Sequence, residues 1–409
     1  MLILSEADVR RCFPVSAAIS ANRKALSSLR KDESGGAVVP TRIGLPYNPP
    51  TDDSATSSSS SAPADWSLFK PAAYYPPSTK ETANNDEDKI LMGMKLVSIR
   101  ANNPSKFNKP TVPATIMLLN SDTGEVAAIV GELWLSYILS NSFISYTYVF
   151  ILISPVSCSC YFVYVAATYL TAARTAAGSA LATKMALSNH EKIKDGLTLV
   201  VFGAGLQAEM HIKCIQHVVN INKLIIVNRT SERAEKLKEL ILNEQPAQDA
   251  QTQTCISNIS VVLLSDEKEV QNAVSSADVV ATTTNTCTPL FCGEWPKPGC
   301  HINGVGSYTP TMAEVDDDLI KRCEVLIDTK EALDVGDLSC LKGEGEIPNN
   351  FAGLIGDALV GNIEFGRRTD DKVDCTFFKS VGTAIQDVVS ANVAVENARK
   401  ENVGVTVEM

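Results

Sequence analysis

Val200-Val201-Phe202-Gly203-Ala204-Gly205-Leu206-Gln207-Ala208 is the stretch whose reading decides the fold. An apolar run, Leu197 to Phe202, ends on Gly-Ala-Gly. A helical pattern follows from Gln207 to about Val219, and a second apolar run, Lys223 to Val227, ends on Asn228-Arg229-Thr230. Strand, glycine turn, helix and strand in that order make a dinucleotide-binding βαβ unit. Gly203 permits the tight turn. Gly205 lets the backbone approach a pyrophosphate seated on the helix N-terminus. Leu206 and Gln207 complete the turn, and Ala208 stands where the usual fingerprint has its third glycine. The alternative, a glycine turn that holds no nucleotide, is weakened by the strands on both sides.

The end of the second strand distinguishes the nucleotides. NAD binders usually carry Asp or Glu there to hold the ribose 2′-hydroxyl. Here the position is Asn228, followed by Arg229, Thr230 and Arg233. Two guanidinium groups and no acid favour the 2′-phosphate of NADPH, with NADH left open; a solvated basic turn is the plainer alternative.

Composition bounds the rest. The chain of 409 residues has room for two domains. A net charge of −11 without a long basic run argues against a nucleic-acid surface. Eleven cysteines are an odd number in a chain too large for a disulfide scaffold. Cys287, Cys292 and Cys300 lack paired CxxC spacing, so they read as reduced thiols, and no metal is expected. The first nine residues have no basic region and too short an apolar run for a signal peptide, which makes the cytoplasm the expected compartment.

Residues 1–46 read as strand, helix and a strand pattern ending Val38-Val39-Pro40-Thr41-Arg42-Ile43. Residues 48–64 are a polar loop expected to be disordered, and 76–89 a second loop. Strand patterns at Ile90–Arg100, Thr111–Asn120 and Val126–Val130 suggest an antiparallel layer. Residues 133–173 carry no charge at all. By length and apolarity they pass a membrane screen, yet they would split a domain. We read about 132–167 as an insertion foreign to the fold, of the kind that translated intron sequence gives, with a membrane anchor as the alternative. A helix is expected over Ser179–Asn189. Strands are then expected at Ile259–Leu264, Asp278–Thr283, Ile302–Val305 and Val325–Asp328, with helices between, and a final helix from Phe377 through Asn397. The fold class is therefore α/β: a doubly wound Rossmann domain over about 188–375, a sheet domain over 1–187, and a C-terminal helix over 376–409.

With these pieces in order the chain resembles the ornithine cyclodeaminase/μ-crystallin family. The resemblance lies in Val39-Pro40-Thr41-Arg42; Met92-Gly93-Met94-Lys95-Leu96-Val97-Ser98; Leu170 to Ala180, with Arg174; the Gly203 turn; Ile302 to Pro310; Asp328-Thr329-Lys330-Glu331-Ala332; Gly336-Asp337-Leu338; and Lys379 to Asp387. It implies a Rossmann domain beside an open-barrel-like α+β domain that binds substrate and makes a homodimer. It also implies a substrate carboxylate clamped by Arg42, Lys95 and Arg174, and a nicotinamide lying near Thr284, Val305 and Gly382. Three cations would orient a carboxylate by charge-assisted hydrogen bonds. Each alone is more often a surface or salt-bridged base.

Two departures bear on the chemistry the resemblance implies. Cyclodeaminases carry a catalytic Asp where this chain has Ser307, and a Glu near the substrate amine where it has Leu68 of Leu68-Phe69-Lys70-Pro71. Cyclodeamination needs a base, and a serine hydroxyl is not one near neutral pH. Ketimine reductases and pyrroline-2-carboxylate reductases of the family lack that Asp. The expected activity is therefore NAD(P)H-dependent reduction of cyclic ketimine acids, with Lys95, Arg174 and Ser307 as the candidate catalytic residues. Ornithine cyclodeamination, an alanine-type dehydrogenase and a μ-crystallin-like binding protein are the rivals.

Overall fold

In the computed structural model, β8 (Leu197–Phe202) lies inside an eight-stranded sheet with β9 (Ile221–Asn228), β10 (Asn258–Leu263), β11 (Val279–Thr282), β12 (His301–Gly304), β13 (Cys323–Ile327), β14 (Phe351–Leu354) and β15 (Cys375–Lys379). The order is β10-β9-β8-β11-β12-β15-β13-β14, and every pairing is parallel. The structure describes residues 2–4, 6–30, 36–41, 43–46, 65–76, 89–100, 114–119, 121, 126–131, 167–188, 196–244, 256, 258–341, 350–366 and 374–406. Arg42, the loop at 48–64 and the charge-free stretch up to residue 166 lie outside them.

Two units are distinguishable. One comprises Met1–Pro14, Val38–Thr171 and Asp387–Met409; the other comprises Val15–Ala37 and Ala172–Gln386. The second holds the parallel sheet. Its helices are α2 (Val15–Ser27), α4 (Leu206–Val218), α5 (Ser231–Asn243), α6 (Glu267–Ser276), α7 (Asp317–Arg322) and α8 (Ile355–Leu359), together with most of α3 (Ala167–Ala186). Strand order reverses between β8 and β11, which is where a doubly wound sheet opens a binding crevice at its strand C-termini. Val200, Phe202, Val280, Ile302, Val325 and Phe377 form the middle of its core.

In the first unit, α1 (Glu6–Cys12) follows a short strand, β1 (Leu2–Ile3), which pairs with β16 (Val405–Thr406). A second sheet runs β2-β4-β5-β6-β7, with β3 also on β4. Its strands are β2 (Ala37–Val38), β3 (Ile43–Pro46), β4 (Asp65–Tyr74), β5 (Leu91–Arg100), β6 (Ala114–Leu119) and β7 (Val126–Gly131). The ladders β3–β4, β4–β5, β5–β6 and β6–β7 are antiparallel. Alternate residues of β4, β5 and β6 are buried, so one face of this sheet is covered.

Three expectations need correction. The helix expected at Ser179–Asn189 begins twelve residues earlier, as α3. Residues 172–183 are buried on every side, so this alanine-rich helix shows no polar stripe to mark its start. Phe377 to Lys379 do not open the last helix. They end β15, buried at every position between β12 and β13, and such a strand has no alternation to betray it. The last helix, α9 (Ala384–Glu401), starts only after Gly382, whose φ of 73° breaks the chain direction. Finally, β4 was not anticipated. Replacing fully buried Phe377 by Ala should cost about 3–5 kcal/mol in urea unfolding; a loss under 1 kcal/mol would contradict this packing.

Candidate cofactor and carboxylate site

Gly203 and Gly205 differ in what surrounds them. Gly203 sits at φ 111°, and a Cβ there would meet Thr283 Oγ1 at 2.7 Å. Its N–H donates to Val227 O. Thr283 closes the same turn, its hydroxyl donating to Phe202 O at 2.8 Å. A Cβ on Gly205 would meet nothing within 4 Å. The first turn of α4 thus has an open approach to its N–H groups, the geometry that suits a pyrophosphate. Gln207 adds a buried side-chain oxygen without a hydrogen-bond partner among the described residues, while Ala208 is fully buried. At the end of β9, Asn228 Nδ2 donates to Thr230 O at 2.9 Å and to Thr230 Oγ1 at 3.1 Å. That ties the turn and leaves Arg229 and Arg233 exposed. These residues fit a nicotinamide dinucleotide.

Beyond β11 and β12 the crevice rests on buried carboxylates. Glu314 is 0% exposed. Its Oε1 accepts from Thr284 N at 2.6 Å and Thr284 Oγ1 at 2.7 Å, and its Oε2 from Gly306 N at 2.6 Å and Thr282 Oγ1 at 2.8 Å. Burial pushes its carboxyl up; Lys379 and the Thr284 bonds pull it back. Asp337 accepts from Glu314 N at 2.6 Å and pairs with Lys379 Nζ at 2.7 Å, both ends of the ion pair fully buried. Asp328 Oδ2 accepts from Ser380 Oγ, Val381 N and Gly382 N. Burial raises its carboxyl too, against those bonds and the nearby Arg174 charge.

Arg174 of α3 lies on this last loop. A Cβ on Gly382 would run into its guanidinium. Arg174 Nη1 donates to Gln386 Oε1 at 3.4 Å, which also accepts from Thr383 N at 3.0 Å, and Gln386 Nε2 donates to Asn22 Oδ1. In the first unit, Lys95 of β5 is 2% exposed and donates to Thr171 Oγ1 at 2.8 Å and to Asp387 Oδ1 at 3.0 Å.

The family model described as ornithine cyclodeaminase/mu-crystallin family matches residues 140–402. The chain belongs to that family. A protein of Dictyostelium discoideum named uncharacterized cyclodeaminase is 29% identical over 430 aligned positions, spanning all of both chains. The ketimine reductase mu-crystallin of Macropus fuliginosus is 32% identical over 228 residues, 56% of this chain and 62% of that one. Among solved structures, Thermococcus litoralis Δ1-pyrroline-2-carboxylate reductase in complex with NADH and L-proline superposes with a TM-score of 0.72, covering all of both chains at 23% identity. That likeness speaks for the fold.

Of the residues expected from the sequence, the ornithine cyclodeaminase/μ-crystallin chain brings together Gly203, Gly205, Leu206, Gln207 and Ala208 at one turn, and Asn228, Arg229, Thr230 and Arg233 at the next. Thr284 and Val305 follow β11 and β12, and Gly382 meets Arg174. Ser307, the remaining candidate, stands three residues beyond β12. Its hydroxyl is fully buried and donates to Met312 O at 2.6 Å, so its proton serves the turn. Glu314 was missed altogether, and Asp328, Asp337 and Asp387 were quoted in motifs without a role. The one signal, an acid just past a strand end or a glycine, covers Asp328 and Asp337 but neither Glu314 nor Asp387. Removing Lys379 as Lys379→Met should cost about 3–5 kcal/mol in urea unfolding by stranding Asp337. The double change Lys379→Met with Asp337→Asn, which removes the charge and keeps an acceptor for Glu314 N, should recover most of that loss; equal losses would refute the coupling.

Proposed function

We propose that this chain is an NAD(P)H-dependent reductase of cyclic ketimine acids such as Δ1-pyrroline-2-carboxylate and Δ1-piperideine-2-carboxylate. The observation that carries the reading is the seat of Arg174. A buried guanidinium lies on Gly382, at the C-terminal end of the parallel strands, where doubly wound sheets bind ligands. A nicotinamide supplies a hydride when bound. What the chain's own residues do is bind and orient. Gly203, Gly205, Leu206, Gln207 and Ala208 hold the pyrophosphate. Asn228 and Thr230 shape the ribose turn, and Arg229 and Arg233 meet a 2′-phosphate, which makes NADPH the preferred form. Thr284, Val305 and Gly382 form the wall around the ring. Arg42, Lys95 and Arg174 take the substrate carboxylate, fixing the imine carbon for attack.

Relatives named ketimine reductase support this reading; the Dictyostelium relative's name favours a cyclodeaminase instead. Cyclodeamination needs a base, and the Ser307 hydroxyl is engaged with Met312 O. The homodimer belongs to the same proposal, supported by Val38, Ile43 and Leu45, apolar and more than half exposed on β2 and β3. So does a cytoplasmic site, supported by the free thiols of the described cysteines.

Purified protein should oxidise NADPH on addition of Δ1-pyrroline-2-carboxylate. Arg174→Ala should lower kcat/KM roughly 100-fold, about 2.7 kcal/mol of transition-state stabilisation. Ammonia and proline from ornithine, with no imine reduction, would reverse the assignment. Changing Arg229 and Arg233 together to Ala should raise KM for NADPH roughly tenfold, leaving KM for NADH within twofold; parallel changes in both would remove the case for a 2′-phosphate contact.

A further inference from the structure

Thr383-Ala384-Ile385-Gln386, at the start of α9, has the spacing of a capping box. In that motif the first hydroxyl accepts from the fourth residue's N–H, and the fourth side chain accepts from the first residue's N–H. Only the second half forms here. Gln386 Oε1 accepts from Thr383 N at 3.0 Å, but Gln386 N donates to Thr383 O at 3.2 Å and leaves the hydroxyl aside. Thr383 is 4% exposed, and its Oγ1 has no hydrogen-bond partner among the described residues.

A buried hydroxyl without a partner carries a cost that a valine of the same shape would not. Its neighbours indicate what it would meet. Arg174 Nη1 donates at 3.4 Å to the same Gln386 oxygen that takes Thr383 N. The guanidinium also lies against Gly382, the residue before Thr383. The first N–H groups of α9, an 18-residue helix, bring partial positive charge to the same place. A guanidinium, a helix N-terminus and a hydroxyl that donates together complement a carboxylate. Asp328, whose Oδ2 takes Gly382 N, is the competing acceptor nearby. Its Oδ1 also lacks a partner among the described residues, so the two oxygens do not bond each other.

We propose that Thr383 is a specificity-determining residue whose hydroxyl donates to the substrate carboxylate held by Arg174. The inference rests on the reading in which Arg174 takes that carboxylate.

The test is calorimetric titration of the full-length protein, with NADPH present, by pyrrole-2-carboxylate and pyrrole-2-carboxamide, planar probes that differ only in the charged group. The wild type should bind the carboxylate at least tenfold more tightly. Thr383→Val should weaken the carboxylate at least fivefold, and Thr383→Ser should stay within twofold of the wild type. With no ligand present, Thr383→Val should unfold in urea at the wild-type midpoint or above it, because the lost hydroxyl bonds no described residue. A lower midpoint would show that the hydroxyl serves the fold, through Asp328 or the helix, and overturns the proposal. Carboxylate affinity unchanged in Thr383→Val overturns it as well. So does a wild type that binds no carboxylate, and imine-dependent NADPH oxidation by that preparation would then leave the reductase reading standing. Carboxylate binding that Thr383→Val weakens, without reduction of any imine, upholds Thr383 and removes the reductase reading.

Discussion

Four donors close on the carboxylate of Glu314, and the binding crevice depends on that convergence. They come from Thr282 and Thr284, at and beyond the end of β11, and from Gly306 beyond β12. Where a strand leaves its ladder its backbone N–H groups lose their partners, and in a buried place each must find another. One carboxylate serves two strand exits at once, so it fixes their spacing. Asp337 extends the construction by accepting from Glu314's own N–H and pairing with Lys379 of β15. Asp328, just past β13, then gathers three donors from the loop after β15. Adjacent parallel strands are thus joined at their exits by acids that would be costly to bury alone. Hydrogen bonds of this kind are directional, so they hold the loops near Thr284, Val305 and Gly382 to a particular shape.

The glycine turn and its two strands were legible because each element has a local signature: an apolar run, a pair of glycines, an amphipathic helix. β8 came out at the residues expected, and β9 to β13 within two or three residues at either end. Complete burial hid two elements, although β11 and β12, buried at every position, were still read from their apolar runs. β15 is buried at all five positions and α3 is buried around its whole circumference over 172–183, so neither shows the period by which a strand or helix is recognised. The acids of the crevice were illegible for another reason. Glu314 lies ten residues beyond the end of β12 and reaches Thr284 only through the fold. The meeting of Arg174 with Gly382 joins residues far apart in the chain; the family resemblance anticipated both, and no local pattern pairs them.

The chemistry that fits this protein makes modest demands on side chains. The described polar groups around the crevice are mostly engaged in holding backbone, as Ser307 is on Met312 O and Gln386 is on Thr383 N. The groups proposed to meet a substrate carboxylate are cations. A site built this way works through orientation and field, with the reacting electrons carried by a partner molecule. That explains how an acid used by the cyclodeaminases can be missing without emptying the site of purpose.

The two glycines of the phosphate turn separate two kinds of constraint that sequence alone merges. Gly203 has a positive φ and a hydroxyl 2.7 Å from where a Cβ would sit, so its lack of a side chain serves the chain itself. Gly205 has extended backbone angles and open space beyond it, so its bareness serves a guest. In a library screened for folding alone, position 205 would tolerate many residues and position 203 almost none. The difference between that tolerance map and one screened for activity would outline the nucleotide's footprint without a ligand ever being seen.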